Sequence, residues 1–197
     1  MMNKHTVNLL AVSMALVTAT HLQAQESQYR YFDAVSLWQL TQNAAGLTID
    51  LSPNRGFAEF SGTHHSGSYH RTQEGSQRNE LRFDTERYQR VNKHLMAYGH
   101  FTFSMDRTKN KAWADVMRPY HSNPFFPGSS VSARYDTQLF DLTAALSTCS
   151  FGGFRFGARL DYKVSDLSRL RDPRSRSQLL QYRITPAVTY TLTTHNP

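Results

Sequence analysis

The sequence predicts an all-β chain, an antiparallel up-and-down transmembrane β-barrel with a short helical or irregular segment before it. Three observations carry this. Apolar and polar residues alternate without a break over stretches of ten or more residues, as in "FRFGARLDYKV" (154–164) and "LLQYRITPAVTYTL" (179–192). The stretches are longer than the ~5–6 residues usual for soluble strands and suit the ~9–11 that a tilted membrane-crossing strand needs. The links between them alternate short and long, the layout of a barrel with tight turns at one rim and long loops at the other.

The elements follow in order. "MMNKH" carries Lys4, "TVNLLAVSMALV" is a short apolar core, and "THLQAQ" offers Ala24 as a cleavage position. Residues 1–24 therefore read as a removable signal peptide, which directs the chain out of the cytoplasm. Residues 25–51 read as a periplasmic or plug-like segment. Within it a short helix is expected at roughly 33–41, ended by "NAAGL" with Gly46 as its stop signal.

Residues 52–197 form the barrel portion, with six strands at about 55–70, 80–91, 94–107, 131–148, 154–167 and 178–193. In the fifth, Phe154, Phe156, Ala158, Leu160, Tyr162 and Val164 share one face. In the sixth, Leu180, Tyr182, Ile184, Pro186, Val188 and Tyr190 do the same. Pro186 cannot donate a ladder bond, so a bulge or a missing bond is expected there. Asn92–Lys93 and Ser150–Gly153 are the tight turns, and the long links fall at about 71–79, 108–130 and 166–177.

Composition narrows the functional classes. The 197 residues carry 22 Lys and Arg against 15 Asp and Glu, a formal charge of +7, and mean hydropathy is −0.56. Beyond the N-terminus no apolar run approaches the ~20 residues of a membrane helix. Strands that alternate average to a hydrophilic score, so this leaves a barrel open. Cys149 is alone, which rules out an intrachain disulfide.

With the apolar faces toward lipid, Arg155, Arg159, Asp161, Lys163 and Arg183 point into the lumen. Facing lipid instead, each Arg or Lys at the midplane would cost ~2–4 kcal/mol. A basic lumen favours anionic solutes. The weightier alternative is that these groups pair with carboxylates of neighbouring strands and fill a small lumen. The run "SDLSRLRDPRSRSQLL" lies between two strands, and Asp172–Pro173 reads as its turn. Arg169, Arg171, Arg174 and Arg176 are thus placed at the extracellular rim, within reach of surface glycolipid phosphates or acidic loop residues.

"MRPYHSNPFFPGSS" (117–130) is too apolar for a free loop and is expected to pack on itself or fold inward over the barrel mouth. Trp113, Tyr120, Phe125 and Phe126 could alternatively anchor at the membrane surface. His64, His65 and His70 match no metal-ligand spacing, and no signature marks a Ser, His and Asp triad. No catalytic residue, cofactor or metal is expected. A nucleic-acid partner would need a cytosolic chain with an exposed basic and aromatic platform, which export and strict alternation oppose. A soluble exported β-barrel with the apolar face inward, holding a small apolar ligand, is the alternative function.

"WQLTQNAAGL", "LRFDTERYQR", "YGHFTFSMD", "PYHSNPFFPGSSV", "LDYKVSDLSRLRDPRSR" and "YRITPAVTY" together resemble an uncharacterised family of Gram-negative outer-membrane β-barrel proteins. "NAAGL" alone is similar to the N-terminal hatch of long-chain fatty-acid transport barrels. The resemblance implies a location in the outer membrane and assembly by the barrel-assembly machinery. It implies a pore, transport or structural role and names no substrate. One departure stands out: such barrels are longer and end in a strand with a terminal aromatic, whereas this chain ends "TTHNP". Six strands also fall short of the eight of the smallest single-chain barrels. The chain is therefore expected to be the N-terminal part of a larger barrel.

Overall fold

The computed structural model describes residues 37–49, 54–117, 125, 127–172 and 174–192. The expected signal peptide, the start of the expected helix, most of the 117–130 stretch, Pro173 and the "TTHNP" end lie outside the described residues. Six strands follow one another, β1 (Gly56–Ser66), β2 (Gln77–Asn92), β3 (Leu95–Lys111), β4 (Ala133–Thr148), β5 (Phe154–Arg169) and β6 (Arg176–Tyr190). Each pairs antiparallel with the next, in the order β1-β2-β3-β4-β5-β6.

Every strand expected from alternation is present, with ends moved by a few residues. β1 stops at Ser66, whereas β2 starts earlier and β3 runs on to Lys111. The β2–β3 turn is closed by the His94 amide donating to Asn92 Oδ1 at 2.8 Å. Gly152 and Gly153 take positive φ of 58° and 87° in the β4–β5 turn, a conformation that glycine adopts without strain.

The six strands form an open sheet with β1 and β6 as its two edges, because each is paired on one side only. Two expectations are corrected, the first in part. Of the two alternatives expected at Pro186, the bulge is absent, while the missing ladder bond follows from a proline having no N–H to donate. The β5–β6 register runs unbroken through Ala158↔Pro186, and β6 is an edge strand, where a missing donor is tolerated. "NAAGL" is not a helix stop. It forms a 3-10 helix, Ala44–Ile49, that follows a short α1 (Leu37–Thr41).

Register assigns every side chain to one of two faces. One is the apolar face, on which Phe60, Phe83, Phe103, Phe140, Val164 and Leu180 form a continuous cross-strand row. This face is uncovered: Phe60 is 72% exposed, Tyr182 73% and Ile184 69%. The other face is polar by sequence and is the one that other segments cover. Met96, Tyr98 and Ala145 are buried there beneath Trp38, Ala44 and Leu47. Ala133, Tyr135 and Leu167 form a second cluster at the far end, joined by Met117.

Candidate functional site

The covered face has three zones, set by which end of the strands lies nearest. At the short-turn end sits the N-terminal segment. Gln39 Nε2 lies 3.1 Å from Glu86 Oε1, 2.8 Å from the Tyr88 hydroxyl and 3.3 Å from that of Tyr98. The Trp38 ring meets Tyr98 edge-on at 4.7 Å, and the Arg159 guanidinium lies 6.0 Å from its centre. The 3-10 helix then crosses β4, β5 and β6. Ser147 Oγ donates to the Ala45 carbonyl at 3.3 Å, Thr48 Oγ1 to the Thr148 carbonyl at 3.2 Å, and Asn43 Nδ2 to Thr189 Oγ1 at 3.3 Å. Gly157 makes this seat possible, because a Cβ there would lie 2.4 Å from the Ala45 nitrogen. A lone glycine inside a strong strand pattern is the sequence signal of such a close approach.

The middle zone is a band of ion pairs. Arg159 Nε donates to Asp161 Oδ1 at 2.9 Å and Arg183 Nη2 to Asp161 Oδ2 at 2.8 Å, while Thr143 Oγ1 adds a bond at 2.9 Å. Lys163 Nζ donates to Asp141 Oδ2 at 2.7 Å. Asp84 accepts from Arg82, from Thr102 Oγ1 at 3.2 Å and from His100 Nε2 at 2.8 Å. Arg155, Arg159, Asp161, Lys163 and Arg183 thus share this face, and three of the four cations are met by carboxylates. Arg155 differs: its Nη1 donates to Thr191 Oγ1 at 3.0 Å. The sequence reading passed over the partners Asp141 and Asp84, because which strands stand side by side is not written in either strand alone.

At the long-loop end the loop after β3 folds inward. Tyr135 donates to Asp115, and the Arg169 guanidinium is buried beside them. Arg169 Nη2 donates to the Val131 carbonyl at 2.8 Å and to Ser129 Oγ at 3.2 Å, and its Nη1 to the Arg171 carbonyl at 3.0 Å. Burial, then the Asp115 carboxylate, pushes the Tyr135 hydroxyl above its ordinary range. Between this clamp and the 67–76 loop lies an open hollow of about 850 Å³, lined by Arg78, Arg82, Asp106, Lys111, Met117 and Leu167 among others. Arg78 pairs with Asp106 and with Glu80 at 3.0 Å. Lys111 Nζ lies 5.1 Å from the Tyr135 ring centre, and burial lowers its ammonium from the usual 10.5.

The four arginines expected at a rim separate. Arg169 lies at the long-loop end but is buried as the clamp just described, its terminal amino groups donating to the Val131 and Arg171 carbonyls and to Ser129 Oγ. Arg171 Nη1 donates to the Ser132 carbonyl at 2.9 Å, and Arg174 pairs with Asp172 at 3.6 Å in solvent. Arg176 lies on the apolar-face side, where its Nε donates to Asp166 at 2.9 and 3.0 Å. That donation holds the Asp166 carboxyl below the usual 3.8.

No group of three or more His, Cys, Asp or Glu side chains able to hold a metal occurs among the described residues. His64 bonds Asn79, and His70 Nδ1 lies 3.2 Å from the Arg71 carbonyl. No helix among the described residues is long and apolar enough to cross a membrane, which says nothing of strands.

No curated protein and no solved structure matches the chain. A family of unknown function, DUF6850, matches residues 44–196. The match begins at the first residue of the 3-10 helix and takes in all six strands. Covering most of the sequence, it shows that the chain belongs to the DUF6850 family.

Proposed function

We propose that the chain is an outer-membrane β-barrel protein, exported through its signal peptide and non-enzymatic, with a pore, transport or structural role. The observation that carries this is the inversion of the two faces. The side chains that bury cheaply are uncovered, and the charged ones are ion-paired on the face whose two ends are covered by the N-terminal segment and the β3–β4 loop. In water this arrangement leaves a large apolar surface with no cover. In lipid it is the expected one, with the covered face as the lumen.

The outline of the apolar belt supports the same reading. On β5 it runs from Phe154 to Val164, about 33 Å of strand at ~3.3 Å per residue. On β6 the run from Leu180 to Leu192 centres on Pro186, level with Ala158. On β1 and β2 it centres near Phe60 and Phe83, which line up with Val164 through the ladder. The belt therefore climbs by slightly more than one residue per strand. With strands ~4.8 Å apart, that slope makes the belt level when the strands tilt by roughly 40°. The 33 Å run then spans about 25 Å of membrane, the height of a barrel's apolar band. The slope also carries Arg87, on the apolar face of β2, down to the belt's lower margin, where a long side chain reaches the interface.

In lipid the unpaired edges of β1 and β6 would cost several kcal/mol per orphaned group, so the proposal requires further strands to complete the sheet. Fractionation tests it. The protein is expected in the outer-membrane fraction, released by detergent and not by salt or alkali. Recovery from the periplasm as a soluble protein would overturn it.

A further inference from the structure

Above the apolar belt, at the long-loop end, the same face of the sheet changes character within one or two residues on β2 to β6. β2 presents Gln77 and Asn79, β3 Arg107 and Lys109, β4 Arg134 and Asp136, β5 Asp166 and Ser168, and β6 Arg176 and Gln178. Four cations stand against two carboxylates. Asp136 is shared between Arg107 Nε at 3.1 Å and Arg134 Nη2 at 3.5 Å, and Asp166 is held by Arg176. Each carboxylate is thus neutralised. Among the described residues Lys109 has no side-chain ion pair, and Arg107, which bonds Asp136 through Nε, keeps 55% of its side chain exposed. The opposite margin of the belt carries aromatic rings instead: Phe154, Phe156 and Tyr190, with Phe154 and Tyr190 at 4.5 Å.

We propose that this rim, centred on Arg107, Lys109 and Arg134, binds the phosphate groups of a glycolipid headgroup. The inference rests on the membrane reading, which puts the band at headgroup depth. It moves the phosphate contact expected at the arginine-rich run to a different set of residues, all but Arg176 outside that run. Guanidinium donors held on paired strands meet phosphate oxygens through charge-assisted bonds, with little side-chain order left to impose. The larger excess of positive charge, at the long-loop margin against Arg87 alone among the described strand residues at the other, also favours that margin as the one facing the phosphorylated leaflet.

The test uses the full chain in maltoside micelles, which carry no phosphate, titrated with bis-phosphorylated lipid A, with the same glycolipid dephosphorylated, and with inorganic phosphate. Binding is expected for the first alone, and it should weaken as salt rises. The triple variant Arg107→Gln, Lys109→Gln, Arg134→Gln should lose about tenfold or more in affinity, whereas Arg107→Lys with Arg134→Lys should keep most of it. Equal binding of both glycolipids, insensitivity to salt, or competition by inorganic phosphate at the same concentration as lipid A would overturn the rim proposal and leave the membrane reading standing. Release of the protein from cells without detergent would overturn both.

Discussion

Gly157 and Ala45 are held so close that the Ala45 nitrogen occupies the space a Cβ on residue 157 would need, at 2.4 Å. A backbone-to-strand contact of this kind seats the N-terminal segment in the covered face at the short-turn end. Gly157→Ala should therefore displace the 3-10 helix at a cost of about 1–3 kcal/mol, the usual range for overpacking. Trp38 and Trp113 are the two tryptophans, so Trp113→Phe isolates the buried Trp38. In that background Gly157→Ala should shift Trp38 emission to the red and quicken proteolysis near residue 42. Unchanged emission would show that the segment is not held by this contact.

The lipid-facing assignment can be read from one side chain. Leu160 lies on the apolar face near the middle of the β5 belt. Leu160→Arg should destabilise the membrane-inserted protein by about 2–4 kcal/mol, measured by denaturant titration from lipid. On a solvated surface the same change stays within about 0.5 kcal/mol.

Asp115→Ala strips the buried Arg169 guanidinium of its carboxylate and Tyr135 of its acceptor. Breaking a buried pair of this kind costs about 3–5 kcal/mol. Proteolysis of the β3–β4 loop should rise by orders of magnitude before the sheet itself unfolds. Arg169→Lys with Asp115 kept should retain the charge pair yet still lose part of the clamp's stability, because an ammonium cannot reach the Val131 and Arg171 carbonyls at once as a planar fork does.

Acidification should loosen the β5–β6 rim. The donation from Arg176 holds the Asp166 carboxyl below the usual 3.8, so the pairing stabilises the folded chain above that value. The contribution is lost as pH falls through the lowered folded value. Stability from this pair should stay flat through the neutral range and decline below pH 3.8, by a small amount since the pair is largely solvated. Asp166→Asn should flatten that part of the curve, as a thermal melt against pH would show.

Much of the sheet was legible in the order of residues. β5 and β6 alternate so regularly that their span and facing follow from a period of two, and the turns at Asn92 and Gly152 follow from residue type. The site was legible in part. That Arg159, Lys163 and Arg183 share a face with Asp161 is local arithmetic. That Lys163 meets Asp141 and that Arg82 and His100 converge on Asp84 depends on cross-strand register. "NAAGL" reads as a stop because its glycine suits a helix end equally well, and only the Gly46 amide donating to the Asn43 carbonyl at 3.0 Å, with Ala44 and Ala45 against Gly157, shows a seated 3-10 turn.

Alternation, charge and turn chemistry are local properties, and they settled that the chain is an antiparallel meander with one apolar and one polar face. They could not say what packs on the polar face or where, since that depends on where residues 37–49 and the β3–β4 loop come to rest, more than a hundred residues from some of the groups they touch. Arg169 shows the difference most sharply. By sequence it belongs with Arg171, Arg174 and Arg176 in one solvated run, yet it lies on the face beneath the folded loop, and one residue of register is enough to send it there. A strand reverses its facing at every step, so the neighbours of a side chain are chosen by the sheet as a whole and not by the run in which it is written.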